Sequence, residues 1–108
     1  YLEENAALVG GVGESLPFKD GSCGLVFSVM SLHHISNIED VLMEVVRVLK
    51  DDGKFIVVDW TPSASKLMNQ PPSHFLSVDV FKSTVDSLEL SCQIEEFPIW
   101  YISEVQKI

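Results

Sequence analysis

Three short stretches hold the residues whose types and spacing could do chemistry. Gly11, Val12, Gly13 and Glu14 follow the apolar run of residues 6–9. Met30 and the pair His33 and His34 close a second run, residues 24–32, and Asp59 closes a third, residues 54–60, ahead of Pro62. Each apolar run reads as a buried strand, and in an open parallel sheet ligands bind beyond the carboxyl ends of the strands. An imidazole at such an end could touch a substrate or act as a base, a carboxylate could line the site, and glycines let a backbone approach a ligand closely.

Plainer readings stand beside these. The run "GGVG" opens no helix and lacks the third glycine of a dinucleotide loop, so it does not predict phosphate binding. Adjacent histidines point apart, and no Cys or carboxylate joins them at ligand spacing, so no metal is expected. One histidine at the strand end reads first as a packed or capping group, and second as a substrate contact or base. Glu14 reads first as a solvated loop carboxylate. Asp59 either hydrogen-bonds its own loop or lines the site. Trp60 and Trp100 read as core or rim aromatics before stacking platforms. No Ser-His-Asp or Cys-His spacing is legible.

The elements that must position these residues follow from periodicity. Residues 6–11 and 25–31 predict buried strands, separated by Pro17 and by a turn at residues 19–22 in which Gly21 tolerates positive φ. Ile38, Val41, Leu42, Val45, Val48 and Leu49 recur at helical spacing, predicting a helix over 37–50 with Asp40, Glu44 and Arg47 on its solvated face. Ser36 with Glu39 forms a capping box, Asn37 is an alternative cap, and Gly53 is expected as the left-handed stop. A strand over 55–59 then completes a right-handed βαβ unit. A loop over 61–73, a helix over 78–88 and two strands over 91–97 and 100–106, forming a hairpin, complete one domain spanning residues 1–108. The fold class is α/β, a mostly parallel sheet with a C-terminal antiparallel hairpin.

The totals bound the function. A chain of 108 residues with 46% hydrophobic and 21% charged residues has the composition of one ordinary globular domain. A net charge of −9 argues against nucleic acid as a partner. No apolar run reaches the length of a membrane helix. Cys23 and Cys92 are too few for a disulfide framework and read as free thiols of a cytoplasmic protein. The opening at Tyr1, without Met, suggests a longer parent protein.

The stretch "GESLPFKDGSCGLVFSVMSLHHISNIEDVLMEVVRVLKDDGKFIVVDW", residues 13–60, resembles the second half of the nucleotide-binding domain of class I S-adenosylmethionine-dependent methyltransferases. The resemblance implies a truncated Rossmann-like fold and methyl transfer to a small molecule or another acceptor. It puts Gly11, Val12, Gly13 and Glu14 near the cofactor's adenine, Ser28, Val29 and Met30 near its methionine portion, and His33, His34 and Asp59 on the substrate side. It names no universal catalytic residue, because methyl transfer needs mainly alignment of nucleophile and sulfonium.

Departures from the pattern matter as much. The family's D-x-G-x-G loop and its ribose-binding acid have no counterpart in this sequence, and Val12 stands where an Asp meets the adenine amino group. Gly24 replaces another Asp, and "KDDG" replaces "KPGG". The implied cofactor is therefore S-adenosylmethionine, bound weakly or not at all by this chain. The alternative is a non-catalytic remnant or interaction module. The family's strand order would also leave the edge of residues 25–31 bare. Either residues 6–9 slide in beside it or a second copy pairs there, and the short, glycine-flanked run favours a homodimer.

Overall fold

The computed structural model describes residues 6–8, 18–29 and 37–108. Five strands form one sheet: β1 (Ala6–Leu8), β2 (Cys23–Val29), β3 (Leu49–Trp60), β4 (Leu90–Glu96) and β5 (Trp100–Lys107). Three helices are α1 (Ile38–Val48), α2 (Ser65–Met68) and α3 (Val78–Ser87), with 3-10 turns at Pro62–Ala64 and Pro72–His74. The strand order is β1-β2-β3-β5-β4. β2 and β3 are parallel, with Val26 opposite Phe55 and Val29 opposite Val58, as the βαβ reading requires. β5 runs antiparallel to both β3 and β4. The sheet is therefore mixed, with parallel and antiparallel pairings in equal number, and not mostly parallel as expected. The hairpin contributes as much pairing as the crossover unit does.

The helix forms where periodicity put it, with different ends. Asn37, the alternative cap, is the one that acts: its Oδ1 accepts from the Asp40 N–H at 3.2 Å, and its Nδ2 donates to Asp40 Oδ2 at 2.9 Å. Acidic Glu39 and Asp40 in the first turn and Arg47 in the last suit the helix dipole. Val41, Leu42, Val45 and Val48 are buried. Gly53 is not the stop. Leu49, with φ −71° and ψ 138°, already turns the chain into β3, and among the described glycines only Gly21 has a positive φ, of 60°. Gly53 is needed for space instead. A Cβ there would lie 3.0 Å from the Cys23 carbonyl oxygen, from the Lys50 carbonyl oxygen and from Leu49 Cδ2. It occupies the shift in register between Cys23 opposite Leu49 and Leu25 opposite Lys54.

Arg47 and Glu44 are not a free solvated face either. Arg47 Nη1 donates to the Phe18 carbonyl at 2.9 Å and to Asp20 Oδ1 at 2.7 Å, and its Nε donates to Glu44 at 3.0 Å. The Gly21 N–H in turn donates to the Arg47 carbonyl at 2.9 Å. The turn that feeds β2 is thus fastened to the last turn of α1. The side chain of Glu44 is only 17% exposed, so it is part of this fastening.

The core lies between the sheet and the helices α1 and α3. Val26, Phe55, Val57, Tyr101 and Val105 from one sheet face meet Val41, Leu42, Val45, Phe81 and Val85. Alternation puts Leu25, Phe27, Val29, Ile56, Val58, Trp60, Trp100 and Ile102 on the opposite face, where all are exposed or half-buried. The bare edge expected on β2 is covered within the chain. β1 pairs with it in parallel, Ala6 opposite Leu25 and Leu8 opposite Phe27, in the place where a homodimer contact was favoured.

Two stability outcomes follow. Leu42→Ala should cost about 2–5 kcal/mol through lost buried volume, against less than about 1 kcal/mol for exposed Asp40→Ala. Gly53→Ala should cost about 1–3 kcal/mol, because two of the three atoms it crowds are backbone. Urea denaturation of the three variants measures both, and equal effects for Leu42→Ala and Asp40→Ala would reverse the face assignment.

Candidate functional site at the strand ends

The carboxyl ends of β2 and β3 and the start of β5 lie at one end of the sheet, since β5 runs back against β3. Strand alternation divides the residues there between two faces. Ser28, Asp59 and Tyr101 are fully buried on the helix side. Val29, Val58, Trp60 and Trp100 point to the open side, where Val29 is 51% exposed and so is available to a ligand.

On the helix side, Asp59 faces Tyr101 directly across β3 and β5. Asp59 Oδ1 accepts from the Trp60 N–H at 2.8 Å, a bond to the last residue of its own strand. The Tyr101 hydroxyl and the Ser28 Oγ are buried with no hydrogen-bond partner among the described residues. Burial, reinforced by the charge of Asp59, pushes the Tyr101 phenol above its ordinary value. The Tyr101 ring packs on Phe81 at a centroid distance of 5.8 Å. This is a polar line buried on the helix side of the sheet.

On the open side, Trp60 stands opposite Trp100. Trp100 stacks on Phe97 at 4.2 Å and 14°, and the Phe97 N–H donates to the Trp100 carbonyl at 2.7 Å. The turn between β4 and β5 is tied to the end of β3 through Thr61, whose N–H donates to the Ile99 carbonyl at 2.9 Å and whose hydroxyl donates to the Pro98 carbonyl at 3.4 Å. Val58, Trp60, Ile99 and Trp100 line a shallow groove of about 440 Å³.

Of the residues singled out in the sequence, the structure brings Ser28, Val29 and Asp59 to this end. Gly11, Val12, Gly13, Glu14, Met30, His33 and His34 lie outside the described residues. No cluster of three or more His, Cys, Asp or Glu suited to a metal occurs among the described residues, and no described helix is long and apolar enough to cross a membrane. Tyr101, Thr61 and Ile99 were missed. The alternation of Tyr101, Ser103 and Val105 was the signal that would have turned Tyr101 inward toward Asp59.

Residues 2–57, more than half of the chain, match the protein family described as Methyltransferase domain. The uncharacterized methyltransferase YcgJ of Bacillus subtilis (strain 168) is 35% identical over 71 residues, covering 66% of this chain and 28% of that protein. The sterol 4-C-methyltransferase strm-1 of Caenorhabditis elegans is 34% identical over 58 residues, covering 54% of this chain and 17% of that one. A solved SAM dependent methyltransferase from Aquifex aeolicus superposes with a TM-score of 0.77 over 90% of this chain and 52% of its own, at 16% identity, a likeness of fold. The chain spans less than a third of either curated relative.

The orphaned phenol generates a test. The folded state keeps Tyr101 protonated beyond the unfolded value of about 10, so its contribution to stability is complete below about pH 10 and is lost as pH rises above it. Tyr101→Phe should remove that alkaline loss. At pH 7 it should gain about 1 kcal/mol, since a buried hydroxyl without a partner costs about 1–3 kcal/mol. Urea denaturation of both proteins at pH 7 and pH 10.5 measures the difference. A loss of stability at pH 7 would mean that the hydroxyl has a partner.

Proposed function

Because the chain belongs to the class I S-adenosylmethionine-dependent methyltransferase family, we propose that it forms the acceptor side of a methyl-transfer site acting on a small molecule. The observation that carries this reading is the parallel β2-α1-β3 unit inside the matched span of residues 2–57. That unit brings Val29, Val58 and Trp60 to the strand ends where a doubly wound sheet holds its ligands. The sterol methyltransferase among the relatives supports an apolar acceptor. Free Cys23 and Cys92 support a reducing, cytoplasmic setting.

The described residues fit only one edge of the cofactor. S-adenosylmethionine presents an amino acid, a sulfonium, a ribose diol and an adenine. At the ends of β2 and β3 the one ionisable side chain among the described residues is Asp59, and it is buried on the helix side. Ser28 Oγ is closed off on the same side. Among the described residues no charge there meets the cofactor's carboxylate, and no exposed acid meets its ribose. What these residues supply is apolar contact beside Val29 and a wall that excludes water and aligns the acceptor, which is where the rate of a methyl transfer comes from.

The second reading, a packing or interaction module without catalysis, has one observation in its favour. β1 pairs with β2, in the place that the family resemblance gives to the strand carrying the cofactor loop.

Calorimetric titration separates the two claims made for the cofactor. Two or three absent charged hydrogen bonds, each worth about 1.5–3 kcal/mol, should leave the chain's affinity for S-adenosylmethionine weaker than about 100 μM, and one-to-one binding at low micromolar concentration would contradict this. A chimera of YcgJ carrying residues 2–57 of this chain in the matching segment should bind S-adenosylmethionine about 10- to 100-fold more weakly than unsubstituted YcgJ measured beside it, the cost of Val12 at the adenine position. A folded chimera without binding would overturn the methyl-transfer reading.

A further inference from the structure

The chain has two tryptophans, and both line one groove. Trp60 and Trp100 are directly opposed on β3 and β5, so their side chains leave the sheet about 5 Å apart. Val58 and Ile99 complete the described lining, and among the described residues no charged or hydrogen-bonding side chain joins them except the indole N–H groups. Beyond the groove the open face carries an apolar row: Val29 lies opposite Val58, and Val58 opposite Ile102. From Val29, at the expected methionine edge of the cofactor, to the far wall at Trp100 is two strand spacings across and two residues along, or roughly 12 Å. That is the reach of a fused ring system or a short isoprenoid chain. The volume of about 440 Å³ falls within the range of small-molecule sites.

We propose that this groove is the subsite that holds the uncharged, apolar body of the methyl acceptor, with Trp60 and Trp100 as its specificity-determining walls. The assignment rests on the methyl-transfer reading above. Charge selects the occupant. A net charge of −9 opposes an anion, and no carboxylate lines the groove to hold a cation, so the occupant is neutral. A second copy is a poor occupant, because two chains of −9 repel each other. A four-residue groove is also far smaller than the roughly 800 Å² per partner of a stable interface. The walls are fixed before binding. Phe97 stacks on Trp100, and Thr61 ties the turn carrying Ile99 to the end of β3, which reduces the ordering cost of an occupant.

The test uses the whole chain and the neutral apolar dye N-phenyl-1-naphthylamine as probe. Titration should give saturable one-to-one binding, with both indole N–H resonances shifting in nitrogen-15-labelled protein. Trp100→Ala should raise the dissociation constant at least about tenfold, the loss of one aromatic wall. Leu25→Ala, on the same face at the other end of β2, should change it less than about twofold. Should Trp100→Ala fail to fold, the two indole shifts in the unsubstituted chain decide. Absence of saturable binding, binding that leaves the indoles unshifted, or a dimer that Trp100→Ala dissociates would each overturn the proposal. The assay contains no S-adenosylmethionine. Its failure is therefore separate from a failure of the chimera, which bears on methyl transfer alone.

Discussion

The pairing of Val26 with Phe55 beneath α1 is the constraint on which the rest of the structure depends. A slip of one residue of β3 against β2 would turn Phe55, Val57 and Asp59 out of the helix side while Val26 and Ser28 stayed in it. It would carry Val58 and Trp60 into the core in their place. The register is held from both ends. Gly53 lets β3 press against the Cys23 carbonyl at the entry, and Arg47 fastens the turn before β2 to the helix that precedes β3. Once that register is set, β5 adds to β3 with Asp59 facing Tyr101 and Trp60 facing Trp100, and the two faces of the strand ends acquire their different chemistry.

Those two faces divide the labour between stability and recognition. The helix side buries a polar line, Ser28, Asp59 and Tyr101, at a cost in unmade hydrogen bonds that the surrounding Val and Phe contacts must offset. The open side buries less but offers flat aromatic surface with its orientation already set. Asp59 and Trp60 are neighbours in sequence and serve opposite faces, and the Trp60 N–H donates back to the Asp59 carboxylate.

Local signals in the sequence carried far where a single element's own chemistry decided the outcome. The face of α1 follows from its apolar spacing, and the left-handed turn at Gly21 follows from "KDGS". The hairpin follows from two alternating runs with Pro98 and Ile99 between them. What was not legible depended on contacts between elements. Gly53 looked like a helix stop because glycine after a lysine-ended helix usually is one; its actual requirement, room for the Cys23 carbonyl, comes from a strand thirty residues away. Glu44 looked solvated because its partner Arg47 is shared with Phe18 and Asp20, which no helical pattern announces. The equal share of antiparallel pairing, and the insertion of β1 beside β2, are decisions of the whole sheet. At the site, Asp59 was singled out from its strand-end position and Val29 through the family resemblance, whereas Tyr101 and the groove's far wall needed the register of β5.

The tie between Thr61 and the β4–β5 turn also has a kinetic meaning. Two backbone segments far apart in sequence are joined at the mouth of the aromatic groove, so the hairpin tip and the end of β3 move as one rigid body. Neither wall is a flap that swings aside. Entry and exit therefore run through the solvent-facing side of the sheet, and residence time is set by the strength of the aromatic contact instead of by the rate of a gate.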